Sequence, residues 1–524
     1  MKKAKIMLTT KIKNLFSFLL GKHNARNATI ITTGLSLFSR VFGYARTLLI
    51  AYLFGATAFV DAYYVALGAV SFIPGILSST IETAILPNMI QSNEDDARNL
   101  FGLIFRALAI FTVLLAAILL TFPEPYIRVF ARTFDSTRIA YASGMVKWLL
   151  PLAISTLAIA LFSAWANYKN CFAVPNTIMA FANILLIPIL LILYTLIGDT
   201  ALPAFQGLGF ALLVLVMWYT LRDAPLQPKK PLPPELIRKV SGEVLLRILA
   251  SGATFLYVLI DRYFASSLPT GNVAAISYAN LLFAQPTGLT AAAFSIFFVR
   301  ANERIALSED SKELLFTTLF MAASYFLPMA ILLSILSRPI IVILLGHGAF
   351  DTQAVALTYP CLAILALGLP VFIWNIFINK HAIAMGRLKI IAIWGYIGVC
   401  GNLFLDWLFV KPYGAPGLCA ATIIMWHVST ICLMLFFCKE TLWHLLKSLL
   451  PQILVITLWA IPLCYALQNM NILLSLAMGA GIGVVHFLLC EITGLFRFIP
   501  SKWRPVAITL LLINKLCTRN RAYK

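Results

Sequence analysis

Residues 38–66 read FSRVFGYARTLLIAYLFGATAFVDAYYVA, two apolar runs separated only by Gly55-Ala56-Thr57. Followed outward, the first run extends from about residue 28 to 54 and the second from 57 to 89. Each has at least the roughly 20 residues that cross a bilayer at about 1.5 Å of rise per residue. Lipid offers no partner for an exposed backbone N–H or C=O, so such runs must satisfy their own polar groups as helices. The stretch therefore predicts a transmembrane helical hairpin with a three-residue turn.

The same pattern continues along the chain. Fourteen apolar blocks are predicted, at roughly 28–54, 57–89, 100–122, 144–168, 175–198, 201–221, 240–266, 272–299, 313–337, 353–379, 388–410, 415–438, 446–468 and 471–495. Composition agrees: 61% of the 524 residues are hydrophobic and 11% charged, against about 45–50% and about 25% in an average soluble domain. No soluble core of this length hides so much apolar surface. The fold class is an all-α polytopic membrane protein with about fourteen transmembrane helices.

Charge sets the expected orientation. With the N-terminus in the cytoplasm, 29 of the 40 Lys and Arg fall on inside segments and five in outside loops (Arg128, Arg132, Arg138, Arg338, Lys411). The other six lie within or near spans. This bias predicts two cytoplasmic termini in a bacterial cytoplasmic membrane. The net charge of +20 then follows from topology and anionic headgroups, with no nucleic acid partner implied. The basic segment Lys2–Arg26, with apolar residues interleaved, reads as an interfacial helix, since Lys11 and Lys13 interrupt any signal-peptide core. The nine cysteines form no CxxC pair and read as small packing residues.

The longest internal break outside the 123–142 loop is Ala224–Lys239, basic and rich in proline (Pro225, Pro228, Pro231, Pro233, Pro234). It reads as a linker between two bundles. A faint echo crosses it: span 1 ends in IAYLFGAT and span 7 in IDRYFASS, as expected of two parallel six-helix repeats in an alternating-access carrier. The predicted organisation is a basic segment 1–27, an N-lobe 28–222, a linker 223–239, a C-lobe 240–438, helices 13–14 at 439–495 and a basic tail 496–524.

Ionisable side chains at membrane depth cost at least about 2.5–3.5 kcal/mol and usually face a cavity or a partner. Arg40 and Arg46 lie six residues apart in span 1, hence about 9 Å along the helix and about 120° around it. They either line one wide cavity, with Gly43 allowing close approach, or snorkel to an interface. Arginine's planar fork suits phosphate. Asp61, early in span 2, is the expected counter-ion for one of them, in a structural or a gating role. In the second half, Asn402 and Asp406 share a helix face, with Thr422 in span 12 and Asp261 near the outer end of span 7. Such oxygens form either a small-cation site of the sodium type or an interhelical hydrogen-bond network.

Weaker features point nowhere definite. Glu94, Asp95 and Asp96 read as a solvated loop, and His427 and His486 as helix-packing residues. The sequence shows no phosphate-binding Gly-rich loop, no His/Cys metal spacing, no Ser–His arrangement and no soluble domain for ATP hydrolysis. A transporter is expected, with no catalytic residue, no ATP and no resident cofactor beyond a sodium ion.

Residues 38–66 strongly resemble the opening of the MurJ (MviN) lipid II flippases, of the multidrug/oligosaccharidyl-lipid/polysaccharide exporter superfamily. Further similar stretches follow in order: DRYFASSLPTGNVAAISYAN (Asp261–Asn280), LLGHGAFD (Leu344–Asp351), LKIIAIWGYIGVCGNLFLDW (Leu388–Trp407) and GAPGLCAAT (Gly414–Thr422). The resemblance implies two lobes in a V around a cationic cavity, with the polyprenyl tail of the substrate in a groove made by the last two helices. It implies lipid II and membrane lipids as partners, and transfer of lipid II from the inner to the outer leaflet. On this basis Arg40, Arg46 and Asp61 match substrate-cavity positions. Asp261, Asn402, Asp406 and Thr422, with the Leu418 carbonyl, match positions that hold sodium in some members. There are departures. The second-span region FIPGILSSTIETAILP (Phe72–Pro87) lacks the usual arginine, Asn280 stands where an eighth-span arginine is expected, and Thr47 replaces a frequent acid. Arg247 and Arg262 are candidate replacements for the lost cations. The rival readings are a flippase for another polyprenyl-linked oligosaccharide of capsule or O-antigen type, and, from another class, a polyprenyl-phosphate transferase using loop acids such as Asp95 and Asp96.

Overall fold

The computed structural model describes residues 25–287, 311–466 and 470–496. Nearly all of the expected N-terminal interfacial helix, the inner end of span 8 and the basic tail lie outside them. Among the described residues there is no strand.

The predicted hairpin is present. Helix α1 (Ala25–Phe54) leads through a tight turn into α2 (Ala58–Thr80), which Thr57 caps by accepting a bond from the Val60 amide. Span 2 continues through a π-helical turn, Ile81–Ile85, into α3 (Leu86–Gln91). Then come α4 (Glu94–Thr121), the short α5 (Pro123–Phe130), α6 (Ser136–Tyr168), α7 (Ala173–Ile197) and α8 (Ala201–Thr220). The second half holds α9 (Pro234–Ala265), α10 (residues 272–287), α11 (Ser311–Ile335), α12 (Ser337–Leu344), α13 (Thr352–Leu367) and α14 (Leu369–Ala384). The helical run Leu388–Ala466 is broken by non-helical backbone at Gly414 and Cys438, giving α15 (388–413), α16 (415–437) and α17 (439–466). Helix α18 is Ile472–Ile492.

Among the described residues this makes fourteen crossings. Ten stretches there are long and apolar enough, counting α13 and α14, bent by 49°, as one span. The 48-residue stretch Ala173–Thr220 divides at Gly198, and the 78-residue one at Gly414 and Cys438. Helix α10 supplies the last. Short polar side chains terminate the helices at the membrane surfaces: Asn93, Asp135, Asp351 and Asn471 each accept a bond from an amide three residues on. Each satisfies a donor that the first helical turn leaves free.

In the N-lobe α6 is central, packing against α2, α4, α5 and α8, while α1 lies on α7 and α7 on α8. In the C-lobe α9 lies on the 388–466 run, and α11 packs on that run and on α13 and α14. The last two helices are pinned to this lobe: the Gln452 amide donates to Ser324 Oγ at 3.0 Å and to the Leu495 carbonyl at 3.3 Å. Outward-facing residues are apolar, among them Val113, Leu196, Leu458 and Ile492, as a lipid-facing surface requires.

The lobes meet where α9 crosses α2 and the π turn, and at the loops opposite the Pro-rich linker, here called the distal face. There the Ala349 amide donates to the Tyr52 carbonyl at 2.8 Å, and the Tyr278 hydroxyl to the Gly55 carbonyl at 3.0 Å. Gly55 has φ +61°, and a Cβ on it would collide with the Ala349 carbonyl. Gly386 has φ +70° with open space around it. Both positions charge an L side chain roughly 1–2 kcal/mol for the backbone conformation, and Gly55 adds a clash. Gly55→Ala is expected to lower the thermal unfolding temperature in detergent clearly more than Gly386→Ala; equal effects would mean that the distal contact yields freely.

Candidate functional site

Between the lobes lies a cavity of about 560 Å³, with Tyr64 and Leu67 of α2 on one wall and α9, α10, α14 and α16 on the other. Asp261, Arg262, Asn280, Asn375, Asn379 and Trp426 line its C-lobe side. This wall is largely apolar, with Val258, Ile276, Phe372 and Leu433 around a few polar side chains. The Asn379 amide donates to Asn375 Oδ1 at 2.7 Å, and Asn375 to Thr430 Oγ1 at 3.0 Å. Asn379 Oδ1 is buried with no hydrogen-bond partner.

The oxygen-bearing residues of spans 7, 11 and 12 come together at one edge of this cavity. Asn402 lies between two carboxylates: its Nδ2 donates to Asp261 Oδ1 and to Asp406 Oδ2, both at 2.9 Å. The Thr422 hydroxyl is 3.1 Å from Asp261 Oδ2 and 3.2 Å from the Leu418 carbonyl, and has one proton to donate. Asn402 and Asp406 are fully buried. Asn402 Oδ1 and Asp406 Oδ1 have no hydrogen-bond partner. Two carboxylates so close in a low-dielectric setting need a cation or a shared proton between them. Every free donor atom in the cluster is an oxygen, the ligand chemistry of a hard cation rather than of zinc or copper.

The N-terminal candidates are dispersed. Arg46 Nη1 donates to Asn183 Oδ1 at 3.1 Å, and Asn183 Nδ2 to Ser39 Oγ at 2.8 Å. Arg40 is exposed on α1. Neither lines the cavity between the lobes. A Cβ at Gly43 would meet Asn183 at 3.9 Å, an ordinary contact, so close approach does not depend on that glycine. Asp61 is not the counter-ion of a span-1 arginine. It is fully buried at the distal face and accepts from the Gly271 and Ala274 amides, both at 2.7 Å, at the start of α10 in the other lobe. Its charged neighbour is Arg138, at 3.8 Å. Arg138 also binds Asp135 Oδ2 at 2.7 Å and the Leu268 carbonyl at 3.2 Å. The Arg138 backbone amide, then its guanidinium, hold the Asp135 carboxyl below the usual range.

Sequence reasoning missed the partners Arg138 and Asn183. The i,i+3 spacing of Asp135 and Arg138 was visible, but their contact with Asp61 and the second lobe was not. Arg262 lines the cavity and Arg247 does not, which separates the two candidate replacement cations. The acidic triplet 94–96 forms the first turn of α4, where Asp95 pairs with linker Lys230 at 3.1 Å. His486 receives the Trp459 indole N–H at 3.2 Å, a helix-packing bond.

Comparison with known proteins identifies the architecture. The family described as "Lipid II flippase MurJ" matches residues 50–497. The chain belongs to the MurJ family. Among MurJ relatives, the probable lipid II flippase of Bdellovibrio bacteriovorus is 23% identical over 478 residues, covering 86% of this chain and 87% of the relative. That of Buchnera aphidicola subsp. Acyrthosiphon pisum is 24% identical over 382 residues, covering 68% and 72%. The solved structure of a lipid II flippase MurJ in an inward closed conformation superposes with a TM-score of 0.73 at 21% identity, over 88% of this chain and 99% of that one. An inward-facing MATE-family multidrug transporter of the MOP superfamily gives 0.61 at 15% identity, over 80% and 99%. These likenesses establish a two-lobed MurJ fold in a multi-pass inner-membrane protein. Arg40 and Arg46 precede the residues that the family matches.

The Asp61 contacts tie the two lobes together. Asp61→Ala leaves the Gly271 and Ala274 amides without their acceptor and removes one of the two carboxylates paired with Arg138. Spin labels at exposed positions 132 and 267, on the two sides of this contact, are expected to report a longer and broader distance in Asp61→Ala than in the native background. An unchanged distance would mean that the distal face is held by its other contacts alone.

Proposed function

We propose that this chain is a lipid II flippase, carrying the undecaprenyl-pyrophosphate-linked peptidoglycan precursor from the inner to the outer leaflet by alternating access. The observation that carries this reading is the match to the MurJ family along nearly the whole chain, joined to a cavity between two lobes whose largely apolar lining carries Asp261, Arg262 and three asparagines. The Lys and Arg bias puts the linker face and both termini in the cytoplasm, so the distal face is periplasmic. The Asp61 contacts then close the periplasmic side while the cavity awaits its cargo. The long polyprenyl tail stays in lipid, along the exposed apolar faces of α17 and α18, and no covalent bond is made or broken. The role in the cell is cell-wall biogenesis and maintenance of shape.

The oxygen cluster fits a sodium ion, which Asp261, Asn402, Asp406, Thr422 and the Leu418 carbonyl would hold. Bound there, the ion supplies the positive charge that the paired carboxylates require. The chain's own residues set how that charge is felt: Asn402 bridges the carboxylates, and α9, α15 and α16 are drawn onto one point. Binding therefore favours whichever lobe arrangement keeps these helices together. No ATP is involved, and the gradient or membrane potential biases the cycle by about 2.3 kcal/mol per charge per 100 mV.

The weakly cationic cavity wall, with Asn280 and the Asn375–Asn379 pair, favours as second reading a flippase for another polyprenyl-linked oligosaccharide. Complementation separates the two. In a bacterium depleted of its resident lipid II flippase, the native chain is expected to restore growth, and Arg46→Ala, at matched protein level, to lose it. Absence of rescue by a correctly inserted native chain would assign the cargo to the second reading. For the ion, sodium chloride should raise the unfolding temperature of the purified protein above that in choline chloride, and Asp406→Asn should abolish the difference. Stabilisation that persists in Asp406→Asn would place sodium elsewhere.

A further inference from the structure

Arg262 is a cation of the cavity wall with no salt bridge among the described residues. Its guanidinium lies against Gly68 of α2, where a side-chain Cβ would overlap Nη1. It is half-buried and shares the cavity with Tyr64, Ser277 and Asn280. No carboxylate among the described residues lies within salt-bridge distance of it. Asp261 precedes it in the chain, but both Asp261 oxygens are committed to Asn402 and Thr422. The other buried arginines differ. Arg138 holds two carboxylates and a carbonyl, and Arg46 holds Asn183.

An arginine at membrane depth is costly and is normally paired. Its delocalised fork has five donors in a plane and matches the oxygens of a phosphate two at a time. The glycine at position 68 makes room for that fork at the crossing of the two lobes, and the side chain lines the cavity. Sequence alone left Arg247 and Arg262 equal as replacements for the missing cavity cations; only Arg262 reaches the cavity.

We propose that Arg262 is the anion-binding residue of the C-lobe wall, taking the pyrophosphate of a polyprenyl-pyrophosphate substrate. The assignment rests on the flippase reading and adds to it a specificity-determining residue outside the span-1 pair. It makes a stability prediction as well. A buried charge without a salt bridge costs desolvation, so its replacement by a neutral side chain of similar size is not expected to lower stability.

The test is binding of undecaprenyl pyrophosphate and of undecaprenol to the purified full chain in detergent micelles, for the native protein and Arg262→Gln. The native chain should prefer the pyrophosphate. Arg262→Gln should lose about ten- to hundredfold of that affinity, the scale of one or two charge-assisted bonds, with undecaprenol binding and unfolding temperature not reduced. A variant that keeps the native preference overturns the assignment and leaves the flippase reading intact. A variant that unfolds at lower temperature and loses both lipids equally makes Arg262 a structural residue and also overturns it. A native chain with no preference for the pyrophosphate overturns both.

Discussion

The bond on which the arrangement of the lobes depends is the one between the Asp61 carboxylate and the first turn of α10. A carboxylate with no exposure to solvent is stable only when hydrogen-bonded and compensated. Asp61 meets both conditions with groups from elsewhere: two backbone amides of the C-lobe and, at 3.8 Å, Arg138 of α6. It caps a helix more than 200 residues away and sits at the positive end of that helix's dipole. Around this point the chain folds tightly. A Cβ on Gly271 would come within 2.8 Å of the Ala56 carbonyl, and the Thr133 and Ser266 hydroxyls lie 2.6 Å apart across the same seam. Separation of the lobes here exposes an acid, an arginine and two amides together. The seam therefore closes or opens as a unit rather than by degrees.

How much of this was legible in the sequence follows from the range of each interaction. Helix number and turns depend on local hydropathy and on residues such as Gly55 and Gly414, so the fourteen spans were readable, with ends off by a few residues. Asn402 and Asp406 are one helical turn apart, so that half of the oxygen cluster was visible, and Asp261 and Thr422 could be set beside it as a cation site or a hydrogen-bond network. The Leu418 carbonyl came only from the family resemblance, and the meeting of all five at one point depends on helix packing, which spacing along one helix does not show. Asp61 was assigned to the wrong partner for the same reason. The nearest cations in sequence, Arg40 and Arg46, were the natural choice, whereas the actual one lies on α6, the next span but one. Spacing along a single helix also could not show that Arg46 faces α7, where a neutral amide receives it.

The cavity differs in kind between its two walls. The N-lobe contributes tyrosine and leucine, and the C-lobe contributes amides, hydroxyls, Trp426 and the Asp261–Arg262 pair. Amide pairs beside an aromatic ring suit neutral hydroxylated groups better than they suit a bare phosphate. A head group composed of sugar and pyrophosphate would find both of its chemistries on one lobe. Of the span-1 arginines, Arg46 is held between α1 and α7 by Asn183 and Arg40 is exposed on α1, so in this arrangement neither lines the cavity. A missing arginine in span 2 does not remove the cavity's affinity for anions so long as one cation without a salt bridge stands inside it.

Asp261 and Arg262 are consecutive on α9, so their side chains leave the helix about 100° apart and about 1.5 Å along it. One is directed to the oxygen cluster, the other to Gly68 across the lobe boundary. With the cluster bare, the Asp261 charge partly cancels the field of Arg262 in a medium of low dielectric. A cation held by Asp261 and Asp406 would lift that cancellation and strengthen the pull of Arg262 on an anion. Linkage makes the effect reciprocal: an anion at Arg262 would tighten the cluster's hold on the cation by the same factor. The coupling requires no long pathway, because both sites stand on adjacent residues of one helix, and that helix is the one that crosses from the C-lobe onto α2.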